Sequence, residues 1–293
     1  MCISPVVSLA VWICLAAFRS HAALGDVGVF YKKQCPQLDF AAGEINASLK
    51  SSGKTSAAVG ELADLPNAKQ QLCIAIAASP EESHQLSANL HCADLKPGVP
   101  PQSYALRQMT SANQTTCVVL AADSEGAMYG ALDLAEAIRL DTLSTLRNSD
   151  HTPFISRRGI KFNIPLDART PSYSDAGDSA QQNIPEMWSV DFWHEFLDEM
   201  ARQRFNTLTL WNLHPFPSMV SVPEYPDIAL VDVKRTTLPF DNTYALTGRD
   251  MVRPAQLAHL ETIKQMTIDE KIKFWQEVMN YADDRGIAVY LFT

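Results

Sequence analysis

The sequence has 293 residues, of which 46% are hydrophobic and 19% are charged, and its formal net charge is −9 at pH 7. This composition is typical of a globular protein and excludes a disordered or repetitive chain. The acidic balance disfavours nucleic acid and anionic membrane surfaces as partners, and no internal stretch reaches the roughly 20 apolar residues of a membrane span.

Only the extreme N-terminus of the sequence is strongly apolar. The run from Val6 to Phe18 has the length of the hydrophobic region of a signal peptide, and Ser20-His21-Ala22 loosely fits a cleavage site. We therefore predict a signal peptide over residues 1–22 and a secreted or periplasmic protein. Residues 1–5 carry no Lys or Arg, and a misassigned translation start is the alternative.

Four cysteines, Cys35, Cys73, Cys92 and Cys117, follow the predicted signal peptide. In an exported chain they allow two disulfides, by three connectivities. Cys73 and Cys117 lie in apolar runs, and the alternative for them is a reduced thiol that serves as a small core residue. Because the sequence has no CxxC pair and no Cys/His cluster, we expect no metal site. It also has no glycine-rich nucleotide-binding motif, and we expect no cofactor.

Strand and helix patterns alternate over residues 24–150, which predicts an α+β domain. Ser124 is predicted to cap a helix that runs to Leu140, and Gly126 and Gly130 on it would let a sheet approach closely. The polar segment Arg147–Pro153 is interpreted as a linker. The other predicted elements of this domain are the strands Val27–Tyr31, Ala57–Glu61, Leu72–Ala77, Tyr104–Met109 and Thr116–Ala121 and the helix Asp39–Leu49.

Three apolar strands alternate with two amphipathic helices over residues 154–293, a pattern that predicts parallel pairing with right-handed crossovers. Ser189 is predicted to cap the first helix, and Asn206 to end it in the left-handed conformation. Thr267 and Glu270 form a capping box for the second helix. That helix is predicted to bury Ile268, Ile272, Trp275, Met279 and Ala282, and the predicted buried strands are Gly159–Pro165, Thr207–Trp211 and Ile287–Phe292.

The fold class predicted from these elements is α/β. An N-terminal α+β domain is followed by the first strands and helices of a (β/α)8 barrel. A closed barrel of this kind typically takes about 250 residues, and the second region supplies three strands, so we expect the barrel to be incomplete. A smaller open α/β sheet is the alternative, although it would leave an apolar strand as a bare edge.

Polar and aromatic residues cluster around the ends of the first two barrel strands, and active sites of barrels lie at the carboxyl ends of the strands. Such residues hydrogen-bond sugar hydroxyls and stack on sugar rings, which predicts a carbohydrate site. The alternatives are a surface ion pair for Asp167 and Arg169, barrel core for Trp211 and a loop cap for His214. The candidate binding residues are Arg158, Asn163, Asp167, Arg169, Trp211, Asn212 and His214.

Several runs of the sequence resemble glycoside hydrolase family 20, the β-N-acetylhexosaminidases. These runs are GAMYGALDLAEAIR, RRGIKFNIPLDAR, FLDEMARQRFNTLTLWNLH with the following EYPDIAL, and MTIDEKIKFWQEVMNYADDRGIAVYLF. Family 67 α-glucuronidases carry a similar N-terminal domain. By this resemblance Arg158 matches an arginine that grips the hydroxyls of the terminal sugar, whereas Asp167 and Arg169 match the family pattern only with altered spacing.

The resemblance implies an exported glycoside hydrolase that acts on oligo- or polysaccharides, with an N-acetylhexosamine or a uronic acid as the sugar. The family's catalytic Asp-Glu pair follows the fourth barrel strand, and no position of this sequence matches it. We therefore assign no catalytic residue and expect the 293-residue chain to be inactive. The alternatives are a non-catalytic exported protein that binds carbohydrate or is structural, and an unrelated α/β binding module. The sequence gives no indication of oligomeric state.

Overall fold

The computed structural model describes residues 27–111, 113–171, 178–239 and 254–292, so the predicted signal peptide lies outside the described residues. The fold is mixed α/β. It contains a six-stranded sheet, a three-stranded parallel sheet and a two-stranded antiparallel hairpin. Within the described ranges, no helix is both long and apolar enough to cross a membrane.

The six-stranded sheet is built from the first half of the chain. Its strand order is β2-β1-β3-β5-β4-β6, with parallel pairing from β2 to β5 and antiparallel pairing of β4 with both neighbours. The elements are β1 (Val27–Phe30), α1 (Pro36–Ser51), β2 (Ala58–Gly60), β3 (Leu72–Ala77), α2 (Pro80–Leu90), β4 (Tyr104–Ser111), β5 (Gln114–Ala121), α3 (Ser124–Arg139) and β6 (Ser149–His151).

Helices cover both faces of this sheet. The side chains of Leu72, Ile74 and Ile76 belong to the same core as α1 and α3, while Ala75 and Ala77 share a second core with Leu86 of α2. Every residue of β3 is buried as a result, which is why the strand is a continuous apolar run.

The predicted close approach of α3 to the sheet is confirmed. A Cβ atom added at Gly126 would lie 2.6 Å from the carbonyl oxygen of Ser103, and one added at Gly130 would lie 2.5 Å from Val119 Cγ1. Real Cβ atoms do not approach so closely, so the helix reaches this position only because both residues are glycine.

Three features of this half differ from the sequence prediction. Asp123, not Ser124, caps α3, because its carboxylate accepts the hydrogen bond from the Gly126 N–H at 2.8 Å. The predicted linker Arg147–Pro153 contains β6, a polar edge strand that pairs with β4. Helix α2 was not predicted, because its buried positions include Ser83 and Ser87, which weaken the apolar periodicity.

The second half of the chain forms the three-stranded sheet, in the order β11-β8-β7, and the hairpin β9–β10. All three strands of the sheet run parallel, as predicted. The elements are β7 (Gly159–Asn163), α4 (Asp178–Met187), α5 (Val190–Arg202), β8 (Thr207–Trp211), α6 (Phe216–Met219), β9 (Asp232–Thr236), α7 (Pro254–Ala258), β10 (Leu260–Gln265), α8 (Ile268–Asp283) and β11 (Ala288–Phe292).

The two faces of the three-stranded sheet differ in burial. One face carries Leu208 and Leu210, both fully buried in the core that includes α5 and α8. The opposite face is half-buried on β8 and exposed on β11, where Phe292 is 54% exposed. Of the predicted buried strand Ile287–Phe292, Ile287 is buried and Val289 is partly buried against the core, whereas the other four residues are exposed, because β11 pairs only with β8 among the described strands.

In this half, the residues that begin the two long helices were predicted correctly, whereas the residue that ends α5 and the buried face of α8 were not. The Ser189 cap and the Thr267–Glu270 capping box are confirmed. Asn206 does not end α5, because Arg204 takes the left-handed conformation, with φ of 63°. The buried face of α8 differs from the prediction, since only Trp275 and Ala282 of the predicted set are among its buried residues, which are Lys271, Phe274, Trp275, Val278 and Ala282.

Helix α1 of the first half packs against α5 and α8 of the second. The guanidinium of Arg285 stacks on the ring of Phe40, 4.5 Å from its centroid, and donates a hydrogen bond to Asp198 at 2.7 Å. Arg202 makes two 3.0 Å hydrogen bonds to the carboxylate of Glu44. We call these five residues the α1 junction.

No disulfide joins any two of the four cysteines in the described part of the chain. Cys117 pairs in register with Ile74 and shares its side of the sheet, which places the side chain of Cys73 on the opposite face. Geometry therefore excludes a Cys73–Cys117 disulfide, and both thiols are core residues, as the alternative interpretation held.

Candidate functional site

The three parallel strands end at one edge of their sheet. At that edge Asn163 of β7 pairs in register with Trp211 of β8, which in turn pairs with Phe292 of β11. Because side chains alternate along a strand, all three project from the face opposite the α5 and α8 core. We call this row of three side chains the carboxyl-end row. Sequence analysis predicted two of its members, Asn163 and Trp211.

Two cations lie beside aromatic rings on the same face. The ammonium of Lys161 is 5.2 Å from the centroid of the Trp211 ring, and the guanidinium of Arg157 is 5.7 Å from that of Tyr290. Sequence analysis did not single out Lys161. The period of two along β7 was the available signal, since it places Lys161 on the same face as Asn163.

Asn212 ties the strand ends together. It is fully buried, and its side-chain amide donates to the carbonyl of Ile164 at 2.6 Å and accepts from the backbone N–H of His214 at 2.8 Å. Its own backbone N–H donates to the carbonyl of Phe292 at 3.2 Å. The side chain of Asn212 is thus committed within the protein, whereas His214, three residues after Trp211, is exposed.

Asp167 and Arg169 form an ion pair in the loop after β7, in which Asp167 is buried and Arg169 is partly buried. Two hydrogen bonds of 2.7 Å join the Arg169 guanidinium to both carboxylate oxygens of Asp167, whose side chain is inaccessible to solvent. Asp167 also accepts from the backbone N–H groups of Arg169 and Lys234, at 2.9 Å each. Each oxygen of the carboxylate accepts two hydrogen bonds, so Asp167 holds the loop in place.

The ion pair extends into a larger buried network with β9 and α8. Arg169 also binds Asp232 at 2.7 Å, and the ammonium of Lys271, which has no solvent exposure, donates to the carbonyls of Leu230 and Asp232 at 2.9 and 2.7 Å. Burial lowers the pKa of Lys271 to about 8. Burial acts to raise the pKa of Asp232, but the hydrogen bonds and charges of Arg169 and Lys234 together outweigh it, so the pKa is lowered.

Of this network, only Asp167 and Arg169 were predicted from the sequence. The signal for Lys271 was its position on the apolar stripe of α8, since Lys271, Trp275 and Ala282 follow helical spacing. The partners Leu230 and Asp232 lie in a segment without periodicity, about 40 residues away in sequence.

Arg158 lies at the amino end of β7, opposite the carboxyl-end row. Its guanidinium donates to the carbonyls of Arg204 and Ile155, at 2.8 and 2.7 Å, and to the side chain of Gln102 at 2.8 Å. The structure therefore does not bring Arg158 together with Asn163 and Trp211, but places it against the six-stranded sheet.

The described ranges contain no group of three or more His, Cys, Asp or Glu side chains arranged to hold a metal ion. The groups on and around the carboxyl-end row suit non-covalent binding. The ring of Trp211 can stack on the ring of a ligand, and the amide of Asn163, the imidazole of His214 and the ammonium of Lys161 can exchange hydrogen bonds with hydroxyls.

Solved structures of glycoside hydrolases are similar to this fold. A GH138 enzyme that targets the pectin rhamnogalacturonan II matches 91% of this chain with a TM-score of 0.53 at 16% identity. The GH20 exo-β-N-acetylglucosaminidase of Vibrio harveyi matches 90% of it, with a TM-score of 0.44 and 12% identity. The chitobiase of Flavobacterium johnsoniae matches 92%, with a TM-score of 0.40 and 15% identity.

This chain spans 24% of the GH138 enzyme and 32% and 31% of the two GH20 enzymes. No family model matches the sequence, and no curated protein matches it. The similarity to the GH138 enzyme confirms at the level of the fold that the chain resembles a glycoside hydrolase.

Proposed function

We propose that this chain is the carbohydrate-binding part of an exported glycoside hydrolase, with its sugar site at the carboxyl-end row. The observation that carries the proposal is the register that sets Asn163 beside Trp211, on strands that we take to be the first of a (β/α)8 barrel. Barrel enzymes bind their substrates at the carboxyl ends of the strands. The fold shared with a GH138 enzyme supports the same class of protein.

Each side chain of the site has a role in this proposal. The Trp211 ring stacks on the apolar face of a sugar ring, and Asn163 and His214 exchange hydrogen bonds with its hydroxyls. Asn212 and the Asp167–Arg169 pair position the loops that carry these groups and do not themselves contact the sugar. The resemblance of the sequence runs to family 20 favours an N-acetylhexosamine.

A uronic acid is the second candidate sugar, and Lys161 is the observation that favours it. Its ammonium is exposed beside Trp211, and no carboxylate lies within 4 Å of it among the described residues. A sugar that stacks on Trp211 would bring a carboxylate into reach of this cation.

Binding without catalysis is the second candidate function. The carboxylates of Asp167, in the loop after β7, and of Asp232, at the start of β9, are both held by Arg169. Neither suits the role of general acid, which requires a carboxyl group that can exchange its proton with the leaving group.

Calorimetric titration of the purified chain tests the proposal, with N-acetylglucosamine oligosaccharides in one arm and glucuronic-acid-capped oligosaccharides in the other. We expect saturable binding in one arm and at least a tenfold weakening in Trp211→Ala, equivalent to about 1.4 kcal/mol. Phe154→Ala is the matched control, since it removes a fully exposed aromatic ring four residues before Arg158.

The two arms and an assay of hydrolysis separate the candidates. Binding of the glucuronic-acid arm alone assigns a uronic acid, and binding without release of sugar assigns a non-catalytic protein. If neither arm binds, or if Trp211→Ala binds as tightly as the wild type, the carboxyl-end row is not a carbohydrate site.

A further inference from the structure

A second cleft, of about 420 Å³, lies far from the carboxyl-end row, where the amino end of β7 meets the six-stranded sheet. The aromatic rings that line it come from β4, α3 and β6, and the two guanidinium groups come from Arg158 and Arg204. The lining of the cleft includes Gln102, Tyr104, Tyr129, His151, Arg158 and Arg204.

The charges around this cleft are not balanced. Arg204 is paired with Asp133, and Asp150 is paired with both Arg107 and Lys96. The partners of Arg158, in contrast, are carbonyl and amide oxygens, and no carboxylate lies within 4 Å of it among the described residues. Of the side chains that line the cleft, Arg158 and Arg204 are cations and Asp150 is a carboxylate, so cations outnumber carboxylates there in a protein whose net charge is −9.

No described residue accepts a hydrogen bond from the hydroxyl of Tyr129. It is buried, and the whole residue is 3% exposed at the edge of the cleft. The Arg158 guanidinium lies 5.6 Å from the centroid of the same ring. Burial raises the pKa of Tyr129, although the charge of Arg158 and its hydrogen bond to the hydroxyl oppose that effect. Because a guanidinium can only donate, the O–H group of Tyr129 is still a donor in need of an acceptor.

We propose that this cleft is a binding site for a small molecule that carries a carboxylate next to a ring. The carboxylate accepts the hydrogen bond from Tyr129 and neutralises the charge of Arg158. An unsatisfied buried hydroxyl and an unpaired guanidinium are costs that one anionic acceptor removes together.

A flat surface for the ring of such a ligand is already present. The imidazole of His151 stacks on Tyr104 at 4.6 Å between centroids, and the two rings are within 8° of parallel. Tyr104 is in turn held by a hydrogen bond from its hydroxyl to Asp133, so its partner ring is fixed as well. A ring that lies against the second face of His151 would extend this stack.

Titration of the whole chain with two pairs of probes tests the proposal. Benzoate and glucuronate each present a carboxylate next to a ring, and benzamide and glucose are their neutral counterparts. We expect one or both carboxylates to bind saturably, the neutral probes not to bind, and Tyr129→Phe to weaken binding by five- to tenfold. Benzoate and glucuronate distinguish an aromatic ligand from an acidic sugar.

Tyr129→Phe removes one oxygen atom and leaves the packing of the ring in place, which keeps the test independent of folding. Tyr225→Phe makes the same change at an exposed tyrosine and should leave both affinities unchanged. Failure of both carboxylates to bind, equal binding of the neutral probes, or unchanged affinity in Tyr129→Phe would overturn the proposal. Each of these outcomes is independent of Trp211 and therefore of the proposed carbohydrate site.

Discussion

Lys271 shows how a single buried charge holds the loops around the carboxyl ends of the strands. Its ammonium is removed from water, donates to two carbonyls and lies near the carboxylates of Asp167 and Asp232. Desolvation dominates, and the pKa falls to about 8 from the ordinary value of about 10.4. The charge thus costs stability at neutral pH, while the hydrogen bonds of the amine fix the start of β9.

The pH dependence of stability follows from this shift. Between pH 8 and about 10.4 the unfolded chain binds the Lys271 proton and the folded chain has released it, so this group stabilises the fold increasingly as pH rises. We expect the free energy of unfolding of the wild type, relative to Lys271→Met, to increase by up to about 3 kcal/mol between pH 7.5 and 10.5. Urea denaturation at a series of pH values measures this difference.

Lys273→Met is the control for this measurement, because Lys273 is exposed on the same helix. Its stability should run parallel to that of the wild type over the whole pH range. Parallel curves for Lys271→Met as well would mean that Lys271 keeps an ordinary pKa in the folded protein.

Helix α3 is the element whose position depends most directly on two small residues. Gly126 faces a backbone carbonyl, which cannot move aside without displacing the start of β4, while Gly130 faces the side chains of Val119 and Tyr104. Gly43 on α1 offers the opposite case, since nothing lies within 4 Å of a Cβ atom added there.

Alanine substitutions at Gly126 and at Gly43 should have opposite effects on the stability of the fold. Gly126→Ala should lower the free energy of unfolding by about 1–3 kcal/mol through overpacking, whereas Gly43→Ala should raise it by about 0.5–1 kcal/mol through helix propensity. Chemical denaturation of the two variants beside the wild type measures both changes. A stabilised Gly126→Ala variant would show that the helix has room to move away from the sheet.

The elements predicted correctly from the sequence are those marked by a pattern of neighbouring residues, such as an apolar run or a helix cap. The apolar runs of β3 and β8 and the capping box of α8 depend on neighbouring residues, and their positions were right. Strands β6, β9 and β10 are polar and exist through pairing with distant partners, so no local pattern marks them. The same holds for the candidate site. Asn163 and Trp211 end apolar strands and were predicted, whereas Leu230 and Asp232, the partners of Lys271, lie in a segment without periodicity.

At the scale of the whole molecule, the α1 junction joins the six-stranded sheet to the three-stranded one. Phe40 lies between two guanidinium groups, those of Arg202 and Arg285, and each arginine is also paired with a carboxylate of its own. Cation–π contacts and partly buried ion pairs of this kind resist separation of the two surfaces more than isolated surface pairs do. We infer that the carboxyl-end row and the second cleft keep a fixed relation to each other.

Export is the prediction that concerns the whole chain. We propose that residues 1–22 direct the protein out of the cytoplasm and are removed there, because Val6–Phe18 has the length and apolarity of a signal-peptide core. N-terminal sequencing of the protein recovered from the medium or periplasm should begin at or near Ala23. Recovery of the protein from the cytosol with Met1 intact would contradict this expectation.

Contacts between α1 and the end of α8 join parts of the chain that are far apart in sequence. The side chain of Gln37 donates a 3.0 Å hydrogen bond to the carbonyl of Asp283, and these residues are 246 positions apart. The six-stranded sheet ends at His151 and has all its strands long before α8 leaves the ribosome. Phe40 on α1 therefore lacks its contact with the guanidinium of Arg285 until α8 and the residues after it have been made. Contacts of such long sequence separation close late and slowly.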